Sequence, residues 1–590
     1  MVENRICHAT GGKLSRLISV AWMLLPGVLA VVGIGALAAS WIPFRILAAR
    51  VRAISLSGQA SFFSAEFYQA IQFRLRVIGL ANLLLAGTAL PFHRRIRHIG
   101  DQVRTDFSRL AADAKLAAAS IPIIDRLVLL LLMGIAGWLR FDGLFQPMRG
   151  DEAYTFMEYA SHPFYVGLSF YNAPNNHLLL TLLMRCSYLV FGNHPWALRL
   201  PVFVCGLCLV PATYVASRSL YRTESGLLAA GLVATSSMLI EYSANARGYT
   251  LLCLVFTILI SVAAHALRDQ NWASWLLLGG LSAIGFYAIP IMLYPFGGIV
   301  IWMLLCSLGA DAGTDIGGAV RGVCFAAGVG AVATLELYSP VFAVSGPHAV
   351  LWNKWVRPVP LRVFVHNLPL SFASTWKRWN WDFPWILVWV LVVGFFVALV
   401  LQRRCGRQHM ALPVAMVACI LPLLVLQRVV PFERVWLFAL PVYFIVASAG
   451  VALGLNPARA QSRNAMALMV IAIVLIVGIK GRRSQSVYLR NEGRGFEQLA
   501  IYLKSDLKPG DSVIAVLSSE APLRYYFQQY DVPSSYLNDR SGSRVLVVVN
   551  HVAGDSMQSM FDYAKRADLK SQTANFVREF DSLQLYQMAK

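Results

Sequence analysis

Long apolar segments separated by short polar ones recur along most of the chain. Inside a membrane each backbone amide has to find its partner within its own segment, so about 20 consecutive apolar residues predict a membrane-spanning α-helix. The pattern predicts a polytopic all-α membrane protein with about 11–13 transmembrane helices. The apolar segments are residues 17–39, 75–92, 122–141, 200–218, 226–243, 249–267, 272–288, 290–308, 318–337, 383–401, 409–427, 434–453 and 464–479.

Two parts of the chain depart from this pattern. Residues 93–121 are polar, amphipathic and rich in Arg and Ala, which predicts a cytoplasmic helix or linker. The tail, residues 485–590, has the composition of a soluble domain, and its strand-like runs 512–519 and 544–551 alternate with the helix-like runs "APLRYYFQQY" and "DSMQSMFDYAKRA". This alternation predicts a small C-terminal α/β domain. We therefore expect an N-terminal two-helix extension with its linker, a transmembrane domain and a soluble domain, over residues 1–121, 122–480 and 481–590.

The composition agrees with a membrane protein, since 57% of the residues are hydrophobic and 14% are charged, against about 25% charged in soluble domains. The net charge of +21 would by itself suit a nucleic-acid-binding protein. The basic residues, however, form short clusters between apolar segments, as is typical of cytoplasmic loops. No aromatic and basic binding module accompanies them, so no nucleic-acid partner is expected.

The basic clusters also predict which face each loop occupies. Residues 142–199 and 338–382 have to lie outside if all of the basic loops are to share the cytoplasmic face. These basic loops are residues 93–121, 217–225, 266–270, 402–408 and 456–463. The alternation requires the short apolar segment 177–192 to lie along the outer surface. The alternation also places "KGRR" (480–483) outside, although basic residues are usually concentrated in cytoplasmic loops.

The motif "RGDEAYT" (149–155) opens the first long outer loop and places two carboxylates, Asp151 and Glu152, at the membrane–water boundary. A carboxylate there can accept the proton of an attacking hydroxyl group. Adjacent carboxylates point in different directions, so at most one of them faces a given substrate. A solvated helix start, where Asp and Glu are favoured, explains the same residues without any function.

Three further polar groups fall on the same predicted face. Amide and imidazole side chains suit a hydroxyl-rich ligand, but an ordinary Asn-rich turn needs no ligand. An Arg binds phosphate through its planar fork, and it equally pairs with a neighbouring Glu or snorkels beside interfacial tyrosines. The residues are Asn175, Asn176 and His177 in the first group, Glu241, Tyr242, Arg247 and Tyr249 in the second, and Arg428, Glu433 and Arg434 in the third.

In their order along the chain these motifs resemble the GT-C glycosyltransferases. The similar elements are a helix followed by "RGDEAYT", "NNHLLL", "ALRLPVFVCGLCLVPATYVASRSLY" and "YSANARGYTL", within residues 122–455. The resemblance is to the protein O-mannosyltransferase and aminoarabinose transferase branch, which includes the bacterial RgtA/B/C/D-like group. The chain departs from that branch because it has "NNHLL" where many relatives carry a His-Pro-Pro or similar turn before the surface helix, and because two additional N-terminal segments precede the usual family start.

The resemblance implies a GT-C-like helical bundle that transfers a sugar from a polyprenyl-phosphate donor to an extracytoplasmic acceptor. It implies that the acidic pair Asp151 and Glu152 is catalytic, with Asp151 as the general base of an inverting reaction. Arg247 and Arg434 correspond to donor phosphate-binding positions, and Arg428 is a third candidate. The expected substrate-binding residues are Tyr154, Asn175, Asn176, His177, Tyr242 and Tyr249.

The expected partners are a polyprenyl-phosphate-linked hexose or pentose, an acceptor glycan, lipid or protein, and the bilayer of the inner (plasma) membrane. No cofactor is expected. Asp151, Glu152 and His177 are compatible with a divalent metal, but their spacing matches no metal-binding motif. No metal site is therefore predicted.

Two alternatives to an enzyme stay open. A secondary transporter or lipid flippase would show paired repeats and ionisable residues near the membrane midplane, whereas the acidic residues here concentrate at helix ends. A non-catalytic scaffold would use the C-terminal α/β domain as its binding module. Deleting residues 485–590 should abolish the function of a scaffold but leave partial turnover in an enzyme.

Overall fold

The structure, a computed structural model, describes residues 26–54, 64–222, 224–309, 316–353, 356–453, 460–490, 493–539, 542 and 544–589. The first part of the predicted span 17–39 and much of the basic cluster 456–463 lie outside these residues.

The described chain is mostly helical, with one small sheet near its C-terminus. The helices before the C-terminal domain are α1 (Pro26–Ala39), α2 (Phe44–Ile54), α3 (Ala65–Ala89), α4 (His93–Ala119), α5 (Ile123–Leu144), α6 (Gly150–Thr155), α7 (Phe164–Ser169), α8 (Leu178–Phe191), α9 (Pro195–Leu220), α10 (Gly226–Thr235), α11 (Ser237–Ser243), α12 (Tyr249–Asp269), α13 (Trp272–Ala288), α14 (Leu293–Leu308), α15 (Ile316–Val344), α16 (His348–Leu351), α17 (Leu361–Trp379), α18 (Trp385–Val400), α19 (Gln402–Cys405), α20 (Leu412–Gln427), α21 (Ala439–Leu453) and α22 (Ala460–Arg490). A π-helical turn, Phe156–Ala160, follows α6.

Six helical segments of the described chain are long and apolar enough to cross a membrane. They are Ala65–Phe92, Ile123–Leu144, Pro195–Leu220, Tyr249–Asp269, Pro290–Leu308 and Ile316–Val344, and the bent pair α10 and α11 would make a seventh span. Six shorter apolar helices have 10–17 residues: α1, α8, α13, α18, α20 and α21. The predicted number of spans is reached only if most of these shorter helices cross as well.

The predicted span 226–243 is broken into two helices, α10 and α11, which are bent by 62° at Ser236. A break inside a membrane frees carbonyl groups that then need donors. The fully buried guanidinium of Arg140, from α5, donates to the carbonyl oxygens of Ala234 at 2.8 Å and Val233 at 3.3 Å. Its positive charge also suits the C-terminal end of a helix. Arg140 thus stabilises the break that directs α11.

Helices α18 and α21 cross at two glycines. Gly450 of α21 lies so close to Gly394 of α18 that a Cβ atom on Gly450 would overlap the Gly394 carbonyl oxygen. Small residues at such crossings let helix backbones approach closely, which is a main source of helix association in membranes. The crossing joins the segment that follows α17 to the buried core of the bundle.

Four of the five basic loops, at residues 93–121, 217–225, 266–270 and 402–408, lie together on one face of the described chain, as their charge predicted. The N–H of Arg222, after α9, donates to the carbonyl oxygen of Cys405 at 2.8 Å, which joins two of these loops. On α4 and at the end of α12, the ligand atoms of Asp113, His265 and Asp269 lie within 4.8 Å of one another. The helix in the polar stretch therefore sits beside the loop that follows α12.

The opposite face carries loop 1, which we define as residues 145–194, between α5 and α9. The N–H of Tyr171 in loop 1 donates to Ser345 Oγ at 2.8 Å, so the segment after α15 lies on this face too. Arg482 of α22 donates to Asp142, at the end of α5, at 2.8 Å. The "KGRR" run is therefore on the loop 1 face, as the predicted alternation requires.

The C-terminal domain contains α23 (Arg494–Asp506), α24 (Leu517–Gln529), α25 (Met557–Ala564) and the strands β1 (Asp511–Ile514), β2 (Arg544–Asn550), β3 (Ala574–Phe580) and β4 (Leu583–Met588). The sheet has the order β1-β2-β4-β3; β1 and β2 are parallel, and the other pairs are antiparallel. The sequence predicted β2, α24 and α25, but its strand 512–519 is confirmed only as far as Ile514, since α24 begins at Leu517, and the hairpin of β3 and β4 was missed. The exposed outer strand β3 has no apolar run to reveal it.

We expect Gly450→Ala to destabilise the protein by about 1–3 kcal/mol, because the added methyl group has to push α18 and α21 apart. Thermal unfolding of the detergent-solubilised protein measures this effect. Gly280→Ala, in α13, is the matched control: nothing lies within 4 Å of its added Cβ, and Ala favours a helix over Gly. Equal thermal midpoints for the two variants would contradict the close crossing.

Candidate active site

The acidic pair stands at the start of a short helix in loop 1. Helix α6 begins at Gly150, soon after α5 ends at Leu144, and the first N–H groups of a helix attract carboxylates. Glu152 accepts the backbone N–H of Arg149 at 2.9 Å, as the acidic residue of a capping box does. This bond turns Glu152 back toward the helix start, so its carboxylate and that of Asp151 diverge.

Asp151 is held on one side and open on the other. Its side chain is 45% exposed and forms an ion pair through Oδ2 with the buried guanidinium of Arg247. Asn175 Nδ2 donates to the second oxygen, Oδ1, at 3.0 Å. Arg247 Nη2 also donates to Asn175 Oδ1 at 2.9 Å, which closes a triangle of three side chains. Residues from three separated motifs therefore meet at this carboxylate.

Glu152 is completely buried, and four hydrogen bonds occupy its carboxylate. Arg199 of α9 binds both oxygens, with Nε donating to Oε2 at 3.0 Å. The backbone N–H of Ala246 donates to Oε2 at 2.9 Å, and Arg149 supplies the fourth bond. Arg199 in turn donates to the carbonyl oxygens of Gly143, Leu144, Gln146 and Pro147. The pair thus consists of an open carboxylate, Asp151, and a closed one, Glu152.

The pKa of Glu152 lies below its ordinary value even though the group is buried. Burial raises the pKa, but the charge and hydrogen bonds of Arg199, the charge of Arg149 and the N–H of Ala246 lower it by more. In the unfolded chain a glutamate side chain has a pKa of about 4.3. The ionised Glu152 therefore stabilises the fold at pH values above that figure, and this stabilisation is lost as the pH falls through the folded-state pKa.

A second cation, Arg434, approaches this site from the short 3-10 turn before α21. It hydrogen-bonds to Tyr249, and although burial lowers the pKa of Arg434, the proximity of Tyr249, Asp151 and Tyr242 raises it by more. The rings of Tyr242 and Tyr249 meet edge to face, with their centroids 5.4 Å apart. Arg434 therefore stays charged beside Tyr249, whose ring also faces the guanidinium of Arg247 at 5.3 Å.

His177 is buried beneath these side chains. Its Nδ1 accepts the backbone N–H of Gly248 at 2.8 Å, and its ring lies edge to face with Tyr249 at 5.4 Å. Burial, followed by the charges of Arg247 and Arg434, holds the pKa of His177 well below its ordinary value. The ring is therefore neutral and carries its proton on Nε2.

Asn176 is a predicted substrate-binding residue whose side chain is fully used within loop 1. It is buried, and its Nδ2 donates to the carbonyl oxygens of Gly167 at 2.9 Å and Phe170 at 2.8 Å. Its Oδ1 accepts the hydroxyl of Thr181 at 2.8 Å. The side chain of Asn176 therefore stabilises the fold of loop 1.

Tyr154 and Arg428 lie apart from the triangle at Asp151. Tyr154 packs edge to face against Tyr159, and its hydroxyl accepts Asn172 Nδ2 at 3.3 Å. Arg428 ends α20 in a left-handed conformation, and its exposed side chain forms no ion pair within the described chain. The residues that do come together are Asp151, Asn175, His177, Tyr242, Arg247, Tyr249 and Arg434.

Sequence reasoning missed Arg199, which holds Glu152. The available signal was an arginine at the start of an apolar span, because such a charge is costly unless it is paired. The sequence also did not identify the partners of Glu241. In the structure Glu241 pairs with Arg378 of α17 at 2.5 Å and with Arg149 at 3.6 Å. A cation more than a hundred residues away in sequence cannot be paired with Glu241 from the sequence pattern.

The acidic pair does not offer two free carboxylates to a metal ion, since Arg199 occupies Glu152 and Arg247 and Asn175 hold Asp151. In the described part of the chain a grouping compatible with a metal occurs on the opposite face, at Asp113, His265 and Asp269. There the guanidinium of Arg268 already binds Asp269.

Replacing Arg199 with Met should destabilise the protein by about 3–5 kcal/mol, because it leaves the charge of Glu152 buried without a partner. Adding Glu152→Gln removes that charge, so the double variant should melt above Arg199→Met but below the wild-type protein, since several carbonyl groups still lack their donor. Thermal midpoints of the purified proteins measure this order. A double variant that melts with or below Arg199→Met would contradict the buried ion pair.

The chain is similar to known proteins in one segment of its sequence and in its fold. Residues 172–311 match the family described as dolichyl-phosphate-mannose-protein mannosyltransferase. Among solved structures, the chain is similar to ArnT from Cupriavidus metallidurans in its apo state, with a TM-score of 0.51 and 13% identity, over 78% of this chain and 97% of that one. The structure of ArnT bound to undecaprenyl phosphate gives a TM-score of 0.52 with the same identity and coverage.

No curated protein matches the chain significantly in sequence. At 13% identity the likeness to ArnT is one of fold, and it extends over nearly all of ArnT. The family match falls on the segment that contains His177, Tyr242, Arg247 and Tyr249. The chain therefore has a GT-C-like fold similar to that of ArnT, and its residues 172–311 are similar to the dolichyl-phosphate-mannose-protein mannosyltransferase family.

Proposed function

We propose that the protein transfers a sugar from a polyprenyl-phosphate donor to an extracytoplasmic acceptor, with Asp151 as the general base. The observation that carries this proposal is the convergence of one open carboxylate with two guanidinium groups, Arg247 and Arg434, from distant parts of the chain. Transfer from a lipid phosphate needs both, because the acceptor hydroxyl has to lose a proton and the departing phosphate has to be stabilised.

The exposed side of Asp151 is the part of the site that an acceptor hydroxyl can reach. Arg247 and Asn175 hold the other side, so the carboxylate is pre-oriented rather than free to rotate. Glu152 cannot exchange roles with it, because a base has to come within hydrogen-bond reach of the proton it accepts. We therefore assign Glu152 to positioning: it ties α6 to α9 and to the backbone at Ala246, next to Arg247.

Arg247 and Arg434 are the residues we propose as ligands of the donor phosphate. A guanidinium group matches phosphate oxygens in a two-bond geometry. Glu433 accepts the hydroxyl of Ser374 and forms no ion pair with Arg434 within the described chain, which supports a free role for Arg434. ArnT, which has the same fold, binds undecaprenyl phosphate. The exposed Arg428 is a third, more peripheral candidate ligand of the donor phosphate.

A single displacement with inversion suits this site better than a two-step reaction. A two-step reaction needs one carboxylate as nucleophile and another group as acid and base. Here the second carboxylate, Glu152, is buried and saturated, and the neighbouring His177 is neutral and bonded through Nδ1. Attack of the acceptor oxygen on the anomeric carbon forms one bond while the bond to the phosphate oxygen breaks, and Asp151 receives the hydroxyl proton.

We place the site on the extracytoplasmic face of the inner membrane, because the basic loops gather on the opposite face. The acceptor is proposed as a hydroxyl group of a glycan, a lipid or a protein. Asn175, His177, Tyr242 and Tyr249 are proposed as substrate-binding residues, since they lie with Arg247 around Asp151.

Changing Asp151 to Asn should lower the rate of sugar transfer by about 10²–10⁴-fold, because the amide cannot accept the acceptor's proton. The measurement supplies labelled polyprenyl-phosphate hexoses and pentoses to purified protein in liposomes with candidate acceptors and follows covalent transfer. Full activity of a correctly inserted Asp151→Asn protein would overturn the assignment.

Asp142→Asn is the matched control for this experiment. Asp142 also lies on the loop 1 face, is exposed and pairs with an arginine, Arg482. It contacts neither Arg247 nor Arg434, so its loss should leave transfer within about twofold of the wild-type rate, as is usual for exposed ion pairs. Label that crosses the membrane without forming a covalent product would favour a transporter instead.

A further inference from the structure

The C-terminal domain contacts loop 1 through three consecutive residues of α24, Arg524, Tyr525 and Tyr526. Each of them reaches a different part of the segment that carries the acidic pair. Consecutive helical residues point about 100° apart, so together they hold loop 1 along a broad face of α24. The sequence predicted a separate soluble domain, whereas these contacts join it to the segment that carries the acidic pair.

Tyr526 holds the backbone just before the acidic pair. Its hydroxyl accepts the N–H of Met148 at 3.0 Å, and both residues are buried. The next N–H, that of Arg149, donates to Glu152. The bond from Met148 thus fixes the chain one residue before the capping bond that orients α6. Without it a buried N–H would have no partner, which is costly.

Tyr525 fills the space behind the acidic pair. It is fully buried, and its ring meets Phe156 edge to face with centroids 5.7 Å apart. Phe156 directly follows α6, so this ring packs beside the helix that carries the acidic pair. Residues of loop 1 and of the C-terminal domain form one continuous core here, which includes Met148, Phe156, Met157, Phe496, Leu499 and Tyr525.

Arg524 holds the far end of the same segment. Its Nη1 donates to Glu158 Oε1 at 2.7 Å, and both side chains are roughly a quarter exposed. Glu158 lies in the π-helical turn after α6. Such turns often occur at functional sites, where they redirect a helix. The contacts of Arg524 and Tyr526 therefore bracket α6 from both ends.

We propose that Arg524 and Tyr526 are positioning residues for Asp151, so that the C-terminal domain is part of the catalytic unit and not an independent module. This inference rests on the proposed role of Asp151 as the base. Displacing a reacting group by about 1 Å costs up to 100-fold in rate, and α6 has only six residues with which to hold its own position. Deleting residues 485–590 would expose the shared core and is expected to abolish transfer, so this deletion does not distinguish an enzyme from a scaffold as the sequence alone suggested.

The test compares Tyr526→Phe with Tyr530→Phe in the full-length protein. Tyr526→Phe removes one hydroxyl and keeps the ring in place. Tyr530→Phe, about one turn further on, removes a hydroxyl that binds Glu497 within the C-terminal domain at 2.6 Å. Two measurements are made. The first is hydrogen–deuterium exchange of the peptide covering residues 148–160, and the second is the steady-state kinetics, kcat and KM, for the lipid-linked sugar.

Tyr526→Phe should speed exchange in that peptide about 10-fold and lower kcat about 10-fold with KM for the donor within twofold of wild type. Tyr530→Phe should leave both quantities unchanged. Unchanged exchange and kcat in Tyr526→Phe, or equal losses in the two variants, would overturn the proposal. If Tyr526→Phe does not fold, Arg524→Gln serves instead, since its side chain lies outside the shared core, and the same changes are expected.

The exchange measurement separates this inference from the proposed function. If the wild-type protein transfers no sugar, the role of Asp151 fails, yet faster exchange in Tyr526→Phe alone still shows that α24 holds loop 1. If the wild-type protein is active and the exchange does not change, the positioning role fails while the proposed function stands.

Discussion

The ion pair between Glu152 and Arg199 is the interaction on which the rest of the site depends. Removing two charges from water is expensive, and their attraction compensates only when every remaining hydrogen-bonding position is filled. The protein meets this condition with Arg149 and Ala246 at the carboxylate and with four carbonyl groups at the guanidinium. The pair therefore joins α5, α6 and α9 to the backbone beside Arg247.

This closed pair explains how two adjacent carboxylates come to have different properties. Glu152 is ionised because Arg199 compensates for its burial, and it is inaccessible for the same reason. Asp151, one residue earlier on the helix, binds Arg247 and Asn175 on one side and is exposed on the other. One carboxylate supplies rigidity and the other is available for chemistry. The C-terminal domain extends this support because Tyr525 packs against Phe156 at the end of α6 and Tyr526 accepts the N–H of Met148 before it.

The sequence predicts those parts of the structure that a local pattern encodes. The helices with a continuous apolar run follow their predicted bounds closely, as α13 shows at Trp272–Ala288, and the order of the motifs predicted the GT-C fold. The break at Ser236 could not be predicted, because it depends on Arg140, almost a hundred residues away. The same holds for Arg199: its partner is set by tertiary contact alone. The β3–β4 hairpin was missed since its outer strand is exposed and has no apolar alternation.

A density map of the protein with a bound polyprenyl phosphate tests the central claim most directly. The account predicts a phosphate group within about 4 Å of the guanidinium groups of Arg247 and Arg434, the distance of an ion pair, with the open side of Asp151 facing the cavity beside it. A phosphate bound at the opposite face, or one that contacts neither arginine, would contradict the account.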